Sequence, residues 1–130
     1  MSRSPTLFVS VCFTAAIALV ACRASPTEVR DQVLLTTEPS VAQGEPLQVT
    51  LENAFNRPVF FNLCTIEFTP TLDAVVCTQE LHRLEPGKRA NASRTIPLAA
   101  DAGSYVARLD VEVDSASIEL VSSAFMITEP

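Results

Sequence analysis

The sequence predicts an all-β domain, an antiparallel β-sandwich of about seven strands over residues 32–130, preceded by a leader and a short connecting segment. Three observations predict it. After Cys22 no stretch keeps apolar residues at the helical spacing i, i+3, i+4, i+7 over two or three turns. Short runs alternate apolar and polar residues instead. These runs are separated by Pro, Gly, Asn and Asp at intervals of roughly ten residues, the rhythm of a sandwich. A chain of 130 residues makes one domain of ordinary size. With 48% hydrophobic residues it has enough apolar mass for a core.

The elements follow in order. Val33 to Thr36 is a first short strand. The turn Gln43-Gly44-Glu45-Pro46 leads into Leu47, Val49 and Leu51, which alternate with Gln48, Thr50 and Glu52. Asn56-Arg57-Pro58 precedes Val59 to Leu63, apolar on both parities as a central strand is. Val75 to Leu81 reads as a weaker strand. Glu85-Pro86-Gly87-Lys88 places Pro and Gly where a type II turn wants them, and Ala90 to Leu98 follows. The clearest strand has Tyr105, Ala107, Leu109, Val111 and Val113 on one face and Arg108, Asp110, Glu112 and Asp114 on the other. Val121 to Ile127 closes the sheet, with Phe125 and Ile127 inward.

The start of the chain reads as an address. Met1-Ser2-Arg3 is a short positive opening, and Leu7 to Val20 is apolar except for Ser10 and Thr14. That run is shorter than the ~20 residues a membrane-spanning helix needs and suits the core of a signal peptide. Leu19-Val20-Ala21-Cys22 then resembles the lipobox of bacterial lipoproteins. The resemblance implies a signal peptide over 1–21, cleavage before Cys22, and lipid on the Cys22 thiol. Cysteine arithmetic is consistent with it. Of four Cys, Cys12 leaves with the leader and Cys22 carries lipid, so Cys64 and Cys77 remain to pair in an oxidising compartment. Residues 22–31 then form the lipidated N-terminus and a flexible tether of at most ~30 Å at about 3.5 Å per residue. Arg23, in place of an Asp after the lipidated Cys, implies the outer membrane in an organism that has one.

A second resemblance covers the domain. Asp101, Gly103 and Tyr105 match the Asp-x-Gly-x-Tyr corner that opens strand F of immunoglobulin-like domains, where the Tyr hydroxyl bonds back to the backbone. The Gly-Glu-Pro turn, Glu52-Asn53, Pro58-Val59 and Leu84-Glu85-Pro86-Gly87 are similar to small bacterial Ig-like lipoproteins. The expected architecture is therefore an Ig-like β-sandwich. Val49, Ala107 and Phe60 or Phe61 stand where antibody-type domains carry two Cys and a Trp.

Chemistry-bearing residues are few. A Cys64–Cys77 disulfide is the expected role of that pair, against free thiols or metal and redox work. One His cannot complete a zinc site, and no Cys-x-x-Cys is present. His82, between Leu81 and Arg83, has no placed catalytic partner, and no Gly-x-Ser-x-Gly elbow occurs. No enzyme activity, cofactor or metal is expected. Asp110, Glu112 and Asp114, with Glu119 in reach, form an acidic ladder. Alternate residues stand about 7 Å apart, so calcium would need ligands from elsewhere. Asn91-Ala92-Ser93 is a glycosylation sequon that a bacterial lipoprotein would rarely use.

A net charge of −6 gives no electrostatic footing for nucleic acid. The expected partners are a membrane, through the lipid, and an envelope protein or surface ligand. Recognition would use the loops at 53–57, 70–74 and 115–117 or strand addition at a sheet edge. A second expectation is proteinase inhibition, since bacterial inhibitors with a small sandwich share the Leu-x-Pro-Gly and Gly-x-Tyr spacing. A hydrolase with an unusual site ranks below both.

Overall fold

The structure, a computed structural model, describes residues 24–130. The signal peptide expected over 1–21 and the expected lipidation residue Cys22 lie outside the described residues.

The alternating runs build two sheets facing each other across one core. In the first, β1 (Val33–Thr37), β3 (Pro46–Asn53) and β7 (Arg89–Thr95) pair antiparallel in the order β1–β3–β7. Leu35 stands opposite Leu51, and Val49 opposite Ala92. The second sheet is organised on β8 (Gly103–Val113), the longest strand described. One side of β8 is bordered by β9 (Ala116–Val121) and then β10 (Phe125–Thr128). The other side is bordered by β4 (Val59–Phe61) and then β5 (Glu67–Thr69). β6 (His82–Leu84) adds to β4, and β2 (Ser40–Ala42) adds to β10.

The core is what the period-two pattern requires. Leu47, Val49 and Leu51 from β3, and Ala107, Leu109, Val111 and Val113 from β8, are buried in one apolar cluster. Each such Leu or Val contributes about 1.5–3 kcal/mol by leaving water. Phe61 is buried with them, whereas Phe60 is half-buried beneath the Arg83 guanidinium, 5.7 Å from its ring centre. The corner forms at the start of β8, where the Tyr105 hydroxyl donates to the Asp101 carbonyl at 2.7 Å. In the 85–88 turn Gly87 has φ +82°, which a side chain would resist, and Lys88 N–H donates to the Glu85 carbonyl.

Five expectations are corrected. Residues 22–31 were expected to form a flexible tether, yet Pro26–Gln32 is a helix, α1. Ser25 caps it, its hydroxyl accepting from Glu28 N–H while the Glu28 carboxylate accepts from Ser25 N–H, and Pro26 occupies the first turn. Val29 is fully buried, so α1 belongs to the domain. The weak strand over Val75 to Leu81 does not form. β4 ends at Phe61, opposite His82, so residues before His82 have no partner strand. Val59 to Leu63 is shorter than expected because Asn62 caps a 3-10 turn over Leu63–Thr65. Val121 to Ile127 is broken between β9 and β10. There Ala107 N–H donates to the Ser122 hydroxyl, and that hydroxyl donates to the Ser123 carbonyl. Finally, β2 and β10 run parallel, so the sandwich is not wholly antiparallel.

Candidate functional site

Between β5 and β6 the chain leaves both sheets. Residues 70–81 form no regular structure and are exposed, apart from half-buried Leu72 and Cys77. Val75 is 48% exposed and Val76 is 98% exposed, an unusual setting for two adjacent β-branched apolar residues. The segment is nevertheless held in place. Cys77 is disulfide-bonded to Cys64 in the 3-10 turn. Buried Asn62 braces both ends of that link, its amide donating to the Thr78 carbonyl at 2.8 Å and its carbonyl accepting from Cys64 N–H at 3.0 Å. Val76 is thus presented from a fixed base.

The segment lies beside β7, an edge strand of the first sheet. Leu72 and Val75 border a cavity of about 240 Å³ with Arg94 and Thr95. A larger groove of about 460 Å³ opens next to them, with Phe68, Thr69, Thr71, Leu72, Arg94 and Arg108 in its walls. Arg94 lies over the Phe68 ring, 5.3 Å from its centre, and donates to the Ile66 carbonyl at 3.3 Å. Burial pulls its pKa below the ordinary arginine value. Among the described residues Arg94 makes no ion pair. Phe68 meets Phe125 edge-on at 5.9 Å, and Phe125 stacks on Tyr105 at 6.0 Å. One aromatic row therefore runs from the groove to the corner. Arg108 is engaged differently: two of its nitrogens donate to Glu119 and a third to the Thr69 hydroxyl. The hydrogen bond to Glu119 raises its pKa. It ties β5, β8 and β9 together across the sheet.

The remaining candidates are dispersed. Asp110 and Glu112 are exposed on β8, but Asp114 pairs with Arg57 and Glu119 with Arg108. Among the described residues no three His, Cys, Asp or Glu side chains come together as metal ligands would. His82 tilts against Phe61 at 5.8 Å. Asn91 accepts from the Thr50 hydroxyl across the β3–β7 pair. The loop expected at 115–117 is a two-residue turn, Asp114-Ser115, because Ala116 and Ser117 already pair in β9, and it meets the 53–57 turn through the Arg57–Asp114 pair. Asp101 and Gly103 shape the corner far from these turns, Asp101 through its carbonyl and Gly103 at φ +148°.

Sequence reasoning pointed to 70–74 and to the two cysteines, but not to Asn62, Phe68 or Arg94. Asn62 is the one polar residue within the run Val59 to Leu63, a place where a side-chain cap can end a strand. Arg94 carries no such signal; only the approach of residues 72–75 to β7 sets it apart. No family model matches the chain, and no curated protein matches it.

Proposed function

We propose that this is an exported, lipid-anchored, non-catalytic binding module whose recognition element is the braced segment 70–81. One observation carries the recognition reading: Val76 stands 98% exposed beside a disulfide-bonded residue. An apolar side chain so presented loses little further freedom on binding, which preserves affinity. The anchor rests on Leu19-Val20-Ala21-Cys22 and places the module at the cell envelope, with the outer membrane as its site where one exists. The non-catalytic reading is supported by His82 lying against Phe61 and by the buried Ser122 hydroxyl being spent on backbone groups.

The test uses intact cells and a photo-crosslinking residue at position 76 or, for comparison, at position 98, another exposed apolar site. A discrete envelope partner captured from 76, not from 98, and only with Cys22 intact, is the expected result. Equal capture from both positions, or none from 76, would remove segment 70–81 as the recognition element. Fatty-acid labelling of the native chain and of Cys22→Ser tests the anchor separately.

A second reading has its own support. Asn62 holding the Thr78 carbonyl, with a disulfide next to a solvated Val, is what a substrate-like inhibitory loop requires: an extended segment that stays in register when bound. Titration of the domain against serine and cysteine endopeptidases decides this. Stoichiometric inhibition abolished by Val76→Asp would make proteinase inhibition the function, and its absence across the panel would retire that reading.

A further inference from the structure

We propose that one end of the sandwich is seated on an anionic phospholipid surface, so that the domain stands upright on its membrane instead of trailing from it. This rests on the anchor at Cys22 proposed above.

That end is defined by contacts between three turns and the chain's entry. Asn53 at the close of β3 exchanges backbone hydrogen bonds with Gly87 and Lys88 in the β6–β7 turn. Arg57 in the β3–β4 turn pairs with Asp114 in the β8–β9 turn. The same Asp114 carboxylate accepts from Ala24 N–H at 3.3 Å. The chain therefore enters at this end and is held there. Ser25 caps α1, Val29 anchors it in the core, and α1 runs directly into β1. Cys22 is two residues before Ala24, and two Cα–Cα steps span at most about 7.6 Å. A lipid on Cys22 then leaves no length of tether between headgroups and turns.

Charge agrees with this placement. The turns at the seated end contain Arg57 and Lys88 against Glu85 and Asp114, α1 adds Glu28 and Asp31 against Arg30, and Arg23 precedes Ala24 in the sequence, so positive and negative groups balance there. Lys88 is exposed and makes no ion pair among the described residues. The opposite end is defined by Gln43 N–H donating to the Thr128 carbonyl and Gly44 N–H donating to the Ile96 carbonyl. Its turns and the tail carry Glu38, Glu45, Asp101 and Glu129, all exposed, and no Lys or Arg. An anionic surface repels the acidic second end, while the balanced first end, with the unpaired Lys88, meets no such repulsion.

Lys88 is the chain's only lysine, which makes the test direct. The lipidated full chain is reconstituted in vesicles of phosphatidylglycerol with phosphatidylethanolamine, and amine labelling at Lys88 is followed by mass spectrometry. A reference lysine, Ala99→Lys, is added in the exposed turn of the opposite end. Labelling of Lys88 is expected to be slowed at least fivefold relative to position 99. A Gly-Ser insertion of eight residues between Arg23 and Ala24 is expected to restore it. Equal labelling at 88 and 99 in vesicle-bound protein overturns the seating while the anchor stands. Protein that fails to float with vesicles overturns the anchor, and the seating with it. Undiminished protection in pure phosphatidylcholine overturns the role of anionic lipid.

Discussion

Asn53 has no exposed surface, yet its side chain ends in a polar amide. Its amide donates to the Arg57 carbonyl at 2.9 Å and the Leu84 carbonyl at 3.0 Å, and its carbonyl accepts from Phe55 N–H at 2.9 Å. Three backbone groups, two of them in buried hydrogen bonds, are satisfied by one residue. Asn53→Ala is expected to destabilise the domain by about 3 kcal/mol, read as a lowered urea midpoint with unchanged slope, because each orphaned buried group costs roughly 1–3 kcal/mol. At this scale sequence reading reached unequal depths. Asp101-Ala102-Gly103-Ser104-Tyr105 was legible because its donor, its acceptor and its glycine lie within five residues. Asn53 was legible only as a turn residue, since its partners Arg57 and Leu84 come from a turn and from the end of β6. Arg94 was not legible, because its placement over Phe68 depends on how the two sheets meet.

Among the elements, α1 shows how a signal can be present and still be passed over. Seven residues are too few to establish a helical period, but Ser25, Pro26 and Glu28 spell a capping box with Pro in the first turn. Ser25→Ala is expected to weaken the helix by about 1 kcal/mol, seen as faster amide exchange at Val29, whose N–H donates to the Ser25 carbonyl. Protection at Leu109 and Val111 in the centre of β8 should be little changed, because α1 opens without the sheets. Strands were legible where both faces of the pattern were clean, as in β3 and β8. β2 and β5 are three residues each and exist because a partner strand passes beside them, which no local pattern records. Val75 to Leu81 has the composition of a strand but no neighbour to pair with.

Across the whole molecule, the segment 70–81 is an excursion closed by a single covalent link. Replacing Cys64 and Cys77 together by Ala is expected to lower stability by about 3 kcal/mol in urea unfolding, the chain-entropy value for a loop of this size. Val76→Asp, by contrast, should change stability by no more than about 0.5 kcal/mol, because Val76 contributes almost nothing to the core. The two substitutions therefore separate what holds the segment from what the segment presents. The sandwich itself was legible from rhythm and alternation because both are properties of the chain alone. The groove and the two chemically unlike ends were not, because they arise from turns distant in sequence.

The parallel pair of β2 and β10 has a mechanical consequence. The chain enters at one end of the sandwich, and β10 carries the C-terminus out at the other. A pull between Ala24 and Thr128 therefore drags β2 and β10 lengthwise past each other. Their ladder is closed by Met126 N–H to the Pro39 carbonyl and by Gln43 N–H to the Thr128 carbonyl. All of its hydrogen bonds share such a load at once, whereas an antiparallel hairpin pulled open from its end would yield one bond at a time. The short strand that sequence reading missed is thus the domain's clasp against tension along its own axis.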